Sequence, residues 1–155
     1  MSIEAGDKIP TLTLPASGGK TVALNKDYAG KKLVVYFYPK DNTPGCTLEG
    51  QDFTRLYPQF LKAKAEVVGV SKDSVKAHDN FCAKFGFPFL LLADVEGLAC
   101  DAFGAIVEKS MYGKKYMGID RCTFVFDEKG KLVQAWRSVK AKGHAEEVLA
   151  AVQAL

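Results

Sequence analysis

Cys46 follows Thr43 by three residues, at the point where Pro39, Pro44 and Gly45 break a run of strand-forming residues from Leu33 to Tyr38. Beyond it, Phe53, Leu56, Tyr57 and Phe60 repeat at the i, i+3, i+4, i+7 spacing of one helix face, so the thiol falls in or near the first turn of a helix over 46–64. A helix start presents unpaired N–H groups and the positive end of the macrodipole. Both favour the thiolate, the nucleophilic form, over a thiol whose free pKa is about 8.5. The Thr43 hydroxyl is close enough in sequence to hydrogen-bond the sulfur or an oxygen bound to it. The plain alternative, a small buried apolar cysteine, leaves the Pro-Gly turn and the helix start without a purpose.

The elements that must hold this thiol alternate along the chain. A hairpin is expected around Leu12 to Leu14 and Thr21 to Ala23, a strand over 33–38, the helix from 46, and a strand over 66–71. A helix over 74–85, a strand over 89–93, a short helix over 97–103, strands over 121–126 and 131–138, and a final helix from 144 complete the order. Pro58 should kink or split the first helix. The pattern implies an α/β chain with a central mixed β-sheet flanked by helices and preceded by an N-terminal β-hairpin. No linker or repeat divides it, so residues 1–155 are expected to form one domain.

Composition narrows the function classes. The chain has 155 residues, 48% of them hydrophobic, and a net charge of +3 carried by scattered basic residues, without the basic stripe or stacking motif of a nucleic-acid binder. No segment approaches membrane-spanning length and the N-terminus has no leader pattern, so a cytoplasmic protein is expected. Cys46, Cys82, Cys100 and Cys122 contain no Cys-x-x-Cys pair, which argues against a disulfide reductase. Together with His78 and His144 they show no close-spaced ligand pairs, so no metal is expected. Both histidines read as surface or helix-end residues. A redox sensor that keeps a reactive thiol remains open, and peroxide turnover separates it from a peroxidase.

Pro39, Thr43 and Cys46 match the Pro-x-x-x-Thr-x-x-Cys signature of peroxiredoxins. The fuller Phe37-Tyr38-Pro39-Lys40-Asp41 and Thr43-Pro44-Gly45-Cys46-Thr47 resemble the peroxiredoxin Q branch, also called bacterioferritin comigratory protein. Gly6 to Pro10, Val67 to Asp73, Phe89 to Asp94 and Arg121 to Asp127 follow in that family's order, so the likeness spans nearly the whole chain. It implies a thioredoxin-like fold and a thiol peroxidase that needs no metal, haem or flavin.

The resemblance also distributes roles. Cys46 becomes the peroxidatic sulfur. Arg121, at the start of a strand in which Cys122, Phe124 and Phe126 face the other way, becomes the cation that pairs with sulfur and peroxide oxygen. Thr43 and the N–H groups near Gly45 and Cys46 are expected to align the peroxide, Pro39 to shield the sulfenic acid, and Tyr38 to line the pocket. Glu49 either complements the helix dipole or, as the resemblance suggests, also holds Arg121.

Many relatives carry a second cysteine five residues after the first, where this chain has Gln51. Another branch of the subfamily carries it on the helix after the second strand, which makes Cys82 the resolving residue, with Cys100 and Cys122 read as packing. Thiols on separate helices must come within about 7 Å at Cα, so the turns around Cys46 and part of the 74–85 helix are expected to unfold locally. Thioredoxin is the expected reductant, with glutaredoxin as the alternative, and a monomer is expected.

Overall fold

The computed structural model describes residues 3–155. A hairpin of β1 (Thr13–Ala16) and β2 (Lys20–Ala23), joined by a 3-10 turn at Ser17–Gly19, leads to β3 (Lys32–Phe37) and α1 (Pro44–Lys62). Then come β4 (Ala65–Ser71), α2 (Val75–Phe85), β5 (Leu90–Ala93), α3 (Leu98–Phe103), β6 (Ile106–Met111), β7 (Lys114–Ile119), β8 (Cys122–Phe126), β9 (Leu132–Trp136) and α4 (His144–Gln153). Among the described residues, seven strands form one sheet in the order β2-β1-β5-β4-β3-β8-β9, while β6 and β7 pair only with each other.

β3 lies near the middle, parallel to β4 and antiparallel to β8. That explains its unbroken apolar wording: Leu33, Val34, Val35, Tyr36 and Phe37 are all buried because both faces of the strand are covered. Parallel neighbours require crossover helices, which α1 and α2 provide. One sheet face packs Phe53, Leu56 and Phe60 of α1, Phe81 of α2 and Val148 and Val152 of α4. The other packs Ala99, Cys100 and Phe103 of α3 with residues of the hairpin. Gly69 of β4 permits the first layer, since a Cβ there would stand 2.9 Å from the Tyr36 ring, which stacks on Phe53 at 4.6 Å.

The elements differ from expectation at three points. Of the two effects expected of Pro58, the split is absent: α1 runs unbroken from Pro44 to Lys62. Pro58 is exposed, so the bond it cannot donate is lost on the solvent side, while Phe53, Leu56 and Phe60 anchor the opposite face. The β6–β7 hairpin has no counterpart among the expected elements. It turns at Tyr112-Gly113, with φ of 52° and 76°, a two-residue turn whose first position is occupied by a residue that rarely adopts positive φ. β9 stops at Trp136, and Ser138 has a φ of 52°, which ends the extended run. Among the described residues, no helix is long and apolar enough to cross a membrane.

Candidate active site

The site lies at the carboxyl end of β3, where open α/β sheets leave a crevice. Thr43 is the extended N-cap of α1, Pro44 occupies the first helical position with its φ already set, and Cys46 is the third helical residue. The helix therefore starts two residues earlier than its apolar spacing indicates. The Thr47 N–H reaches the Thr43 carbonyl at 2.8 Å, whereas the N–H groups of Gly45 and Cys46 come too early for an acceptor inside the helix. They are free to donate to an oxygen beside the sulfur.

Cys46 is buried, at 2% exposure. Arg121, one residue before β8, donates from Nη2 to Cys46 Sγ at 3.3 Å and from Nη1 to Glu49 Oε1 at 2.6 Å. One guanidinium thus spans the sulfur and a carboxyl from the next residues of the same helix, in the bidentate manner that its planar fork allows. Gly45 leaves the room for it, since a Cβ there would stand 3.1 Å from Nη2.

Glu49 is fully inaccessible, and its Oε2 has no hydrogen-bond partner among the described residues. Burial raises its carboxyl to about 7, a rise that the charge and hydrogen bond of Arg121 only partly oppose. Arg121 itself is held above its ordinary value, because Glu49 and Cys46 together outweigh the burial that works against its charge.

The Thr43 hydroxyl donates to the Lys40 carbonyl at 2.8 Å, and not to the sulfur as its spacing implied. Its lone pairs remain able to accept from a peroxide O–H. Tyr38 is buried in the same apolar cluster as Cys46, with its hydroxyl donating to Asp41 Oδ1 at 2.6 Å, and Pro39 is exposed on the loop between them.

The other cysteines divide by layer. Cys82, half-buried on α2, packs against the cluster that contains Cys46. Burial raises its thiol, and a hydrogen bond with Ser17 works the other way. Cys100 and Cys122 belong to the cluster on the opposite face of the sheet. Burial pushes the Cys122 thiol up to about 12 and the Cys100 thiol higher still, with Asp94 adding to the latter. Gln51 is exposed on α1.

The two histidines are buried, contrary to their reading as surface residues. His78 is inaccessible, 2.6 Å from Asp41 Oδ2 and 2.9 Å from the Leu92 carbonyl. His144 does begin α4, but it sits 2.8 Å from Thr123 Oγ1 beneath Trp136, and burial lowers its pKa. For His78 the signal was present in the Val75, His78, Phe85 stripe, which marks the inner side of α2.

The pattern of the AhpC/TSA family matches residues 5–135 of the chain. The chain is 57% identical over 143 residues to the peroxiredoxin Bcp of Xanthomonas campestris pv. campestris, covering 92% of this chain and 89% of that one. Its structure resembles that of a Xanthomonas campestris bacterioferritin comigratory protein, described for its alkyl peroxide reduction activity, with a TM-score of 0.91 at 53% identity over 97% of this chain and 98% of the other. It also resembles a cysteine-to-serine variant of Xylella fastidiosa PrxQ, with a TM-score of 0.94 at 47% identity over 99% and 98%.

Proposed function

The chain belongs to the AhpC/TSA family, in its peroxiredoxin Q branch, and from that membership we propose that Cys46 is the sulfur that attacks peroxide and Cys82 the sulfur that resolves it. The protein is a thiol peroxidase of thioredoxin-like fold, acting on hydroperoxides and regenerated by a thiol. The Cys46 thiolate attacks one peroxide oxygen, the S–O bond forms as the O–O bond breaks, and water or an alcohol leaves after taking up a proton. Activation of the sulfur alone is not enough for speed, because nucleophilicity falls with basicity. The site must also stabilise the charge that grows on oxygen. Arg121 and the N–H groups of Gly45 and Cys46 are suited to that, while Thr43 accepts from the peroxide and fixes its direction.

The observation that carries this reading is the Arg121 fork, 3.3 Å from Cys46 Sγ and 2.6 Å from Glu49. It gives the sulfur a permanent cation in a nearly dry setting. Glu49 orients that cation, and Tyr38 and Pro39 shape and cover the approach.

Resolution by Cys82 is supported by the layers. The sheet stands between Cys46 and both Cys100 and Cys122, whereas Cys82 shares the Cys46 side. The closing step still asks two separate helices to meet, so the first turn of α1 and part of α2 open. An exposed disulfide formed that way suits thioredoxin as reductant, with glutaredoxin as the alternative. We place the enzyme in the cytoplasm as a monomer that reduces both hydrogen peroxide and organic hydroperoxides. Oxidation of the reduced protein with one equivalent of peroxide, digestion without reductant and mass mapping are expected to recover a Cys46–Cys82 peptide. A link to Cys100 or Cys122 would overturn the assignment.

A further inference from the structure

Beyond Tyr38, peroxide chemistry leaves unused a buried polar chain between the two reacting segments. Tyr38 Oη donates to Asp41 Oδ1 at 2.6 Å, Asp41 Oδ2 faces His78 Nδ1 at 2.6 Å, and His78 Nε2 faces the Leu92 carbonyl at 2.9 Å. A proton inventory fixes most of it. The carbonyl only accepts, so Nε2 carries a hydrogen, and the tyrosine proton is given to Oδ1. The line between Nδ1 and Oδ2 then needs a proton as well. On either side of that line it leaves a fully bonded pair, and removal of either partner strands a buried polar group.

The two partners sit on different moving parts. Asp41 lies on the loop between the end of β3 and the N-cap Thr43, and its own N–H donates to Asp73 Oδ2 at 2.9 Å, a carboxyl held in turn by Ser71 at 2.6 Å. His78 lies one turn before Cys82 on α2, an i, i+4 relation, so the helix cannot unwind around Cys82 without disturbing His78. A weaker outer tie, Lys84 Nζ to Asn42 Oδ1 at 3.2 Å, joins the same two segments at the surface.

We propose that the Asp41–His78 pair is a positioning clasp, which holds α2 and Cys82 against the loop delivering Cys46 while peroxide reacts, and which opens before the disulfide closes. The proposal rests on Cys46 and Cys82 being the reacting pair. In the closing step the Cys82 sulfur attacks the Cys46 sulfur, the S–S bond forms as the S–O bond breaks, and the sulfenic oxygen leaves as water with the proton of the Cys82 thiol. The clasp touches none of these atoms. It sets how readily α2 lets go, and therefore how long the sulfenic acid waits exposed to a second peroxide.

The test compares reduced wild type, Asp41→Asn and His78→Gln after mixing with hydrogen peroxide, with thiol, sulfenic acid and disulfide followed by rapid quenching, alkylation and mass analysis. Loss of this buried hydrogen bond is expected to speed the first-order disulfide step about tenfold while the peroxide step stays within about twofold. Overoxidation at excess peroxide falls correspondingly, and amides 75–85 of the reduced variants exchange faster. Asp41→Asn keeps the size of the side chain and carries the comparison if His78→Gln does not fold. Wild-type disulfide rate and wild-type protection of 75–85 in folded Asp41→Asn would overturn the clasp, as would a parallel loss of both chemical steps with stability. Absence of a Cys46–Cys82 link in the wild type would instead overturn the pairing, and the catalytic role of the clasp with it.

Discussion

Arg121 serves two groups at once, and the cost of that arrangement falls on Glu49. The carboxyl has one oxygen on the guanidinium and one with no partner among the described residues, in a place water does not reach. In the folded chain it is protonated below about 7, and in the unfolded chain only below its ordinary 4.5. Between those values the folded form binds the extra proton, so stability is expected to fall as pH rises, by on the order of 3 kcal/mol across the window. Glu49→Gln should remove this slope, because an amide does not titrate. Urea unfolding at intervals across that range measures it, and a slope that survives in the variant would place the titrating group elsewhere. The same protonation releases Arg121 toward the sulfur, so the rate of Cys46 oxidation should bend near pH 7 in the wild type only.

Helices α1 and α2 meet through a close aromatic seam. A Cβ on Gly50 would stand 2.5 Å from Phe87 Cζ, and Phe87 in turn stacks on Phe89 at 5.6 Å and meets Phe81 edge-on at 4.8 Å. The second turn of α1, just past Cys46, is therefore packed against the segment that follows Cys82. Alanine at this position would ordinarily favour a helix by about 1 kcal/mol over glycine, but here it forces a ring out of a stacked row, an overpacking cost of about 1–3 kcal/mol. Gly50→Ala is expected to lower the thermal midpoint and to speed amide exchange at both helix ends. An unchanged midpoint would mean that the seam accommodates a methyl group.

Across the whole molecule, the sheet sorts the cysteines. Cys46 and Cys82 belong to the layer of α1, α2 and α4, and Cys100 and Cys122 to the layer of α3. Cys100→Ala and Cys122→Ala are expected to leave peroxide turnover with a thiol reductant, and the mapped disulfide, as in the wild type. Each should lower stability by about 1–3 kcal/mol through lost packing, read from urea midpoints. A turnover reduced severalfold in either folded variant would give that thiol a chemical role. The β6–β7 arm stands apart from the seven-stranded sheet, with Met111, Tyr112 and Met117 exposed, and takes no part in this sorting.

Local wording was enough for much of this chain. The apolar run over 33–38, the breakers at Pro39, Pro44 and Gly45, and the helix spacing after Cys46 are short-range signals, and they placed Cys46 in the first turn of a helix and gave the α/β order around it. Alternation along Cys122 to Phe126 likewise separated Arg121 from Cys122, since that depends only on the pleat. Whether Pro58 splits the helix depends on which side of it faces water, and the Tyr112-Gly113 turn carries little local signal because its first residue is not a usual turn former. Contacts between distant segments were beyond local wording altogether. Glu49 without a partner for one oxygen among the described residues, Thr43 committed to Lys40, Gly45 yielding space to Arg121, and Asp41 closed on His78 all depend on how β3, β8 and α2 converge. Burial and distance exist only once the layers pack, and they decide which charged groups are paired and which titrate.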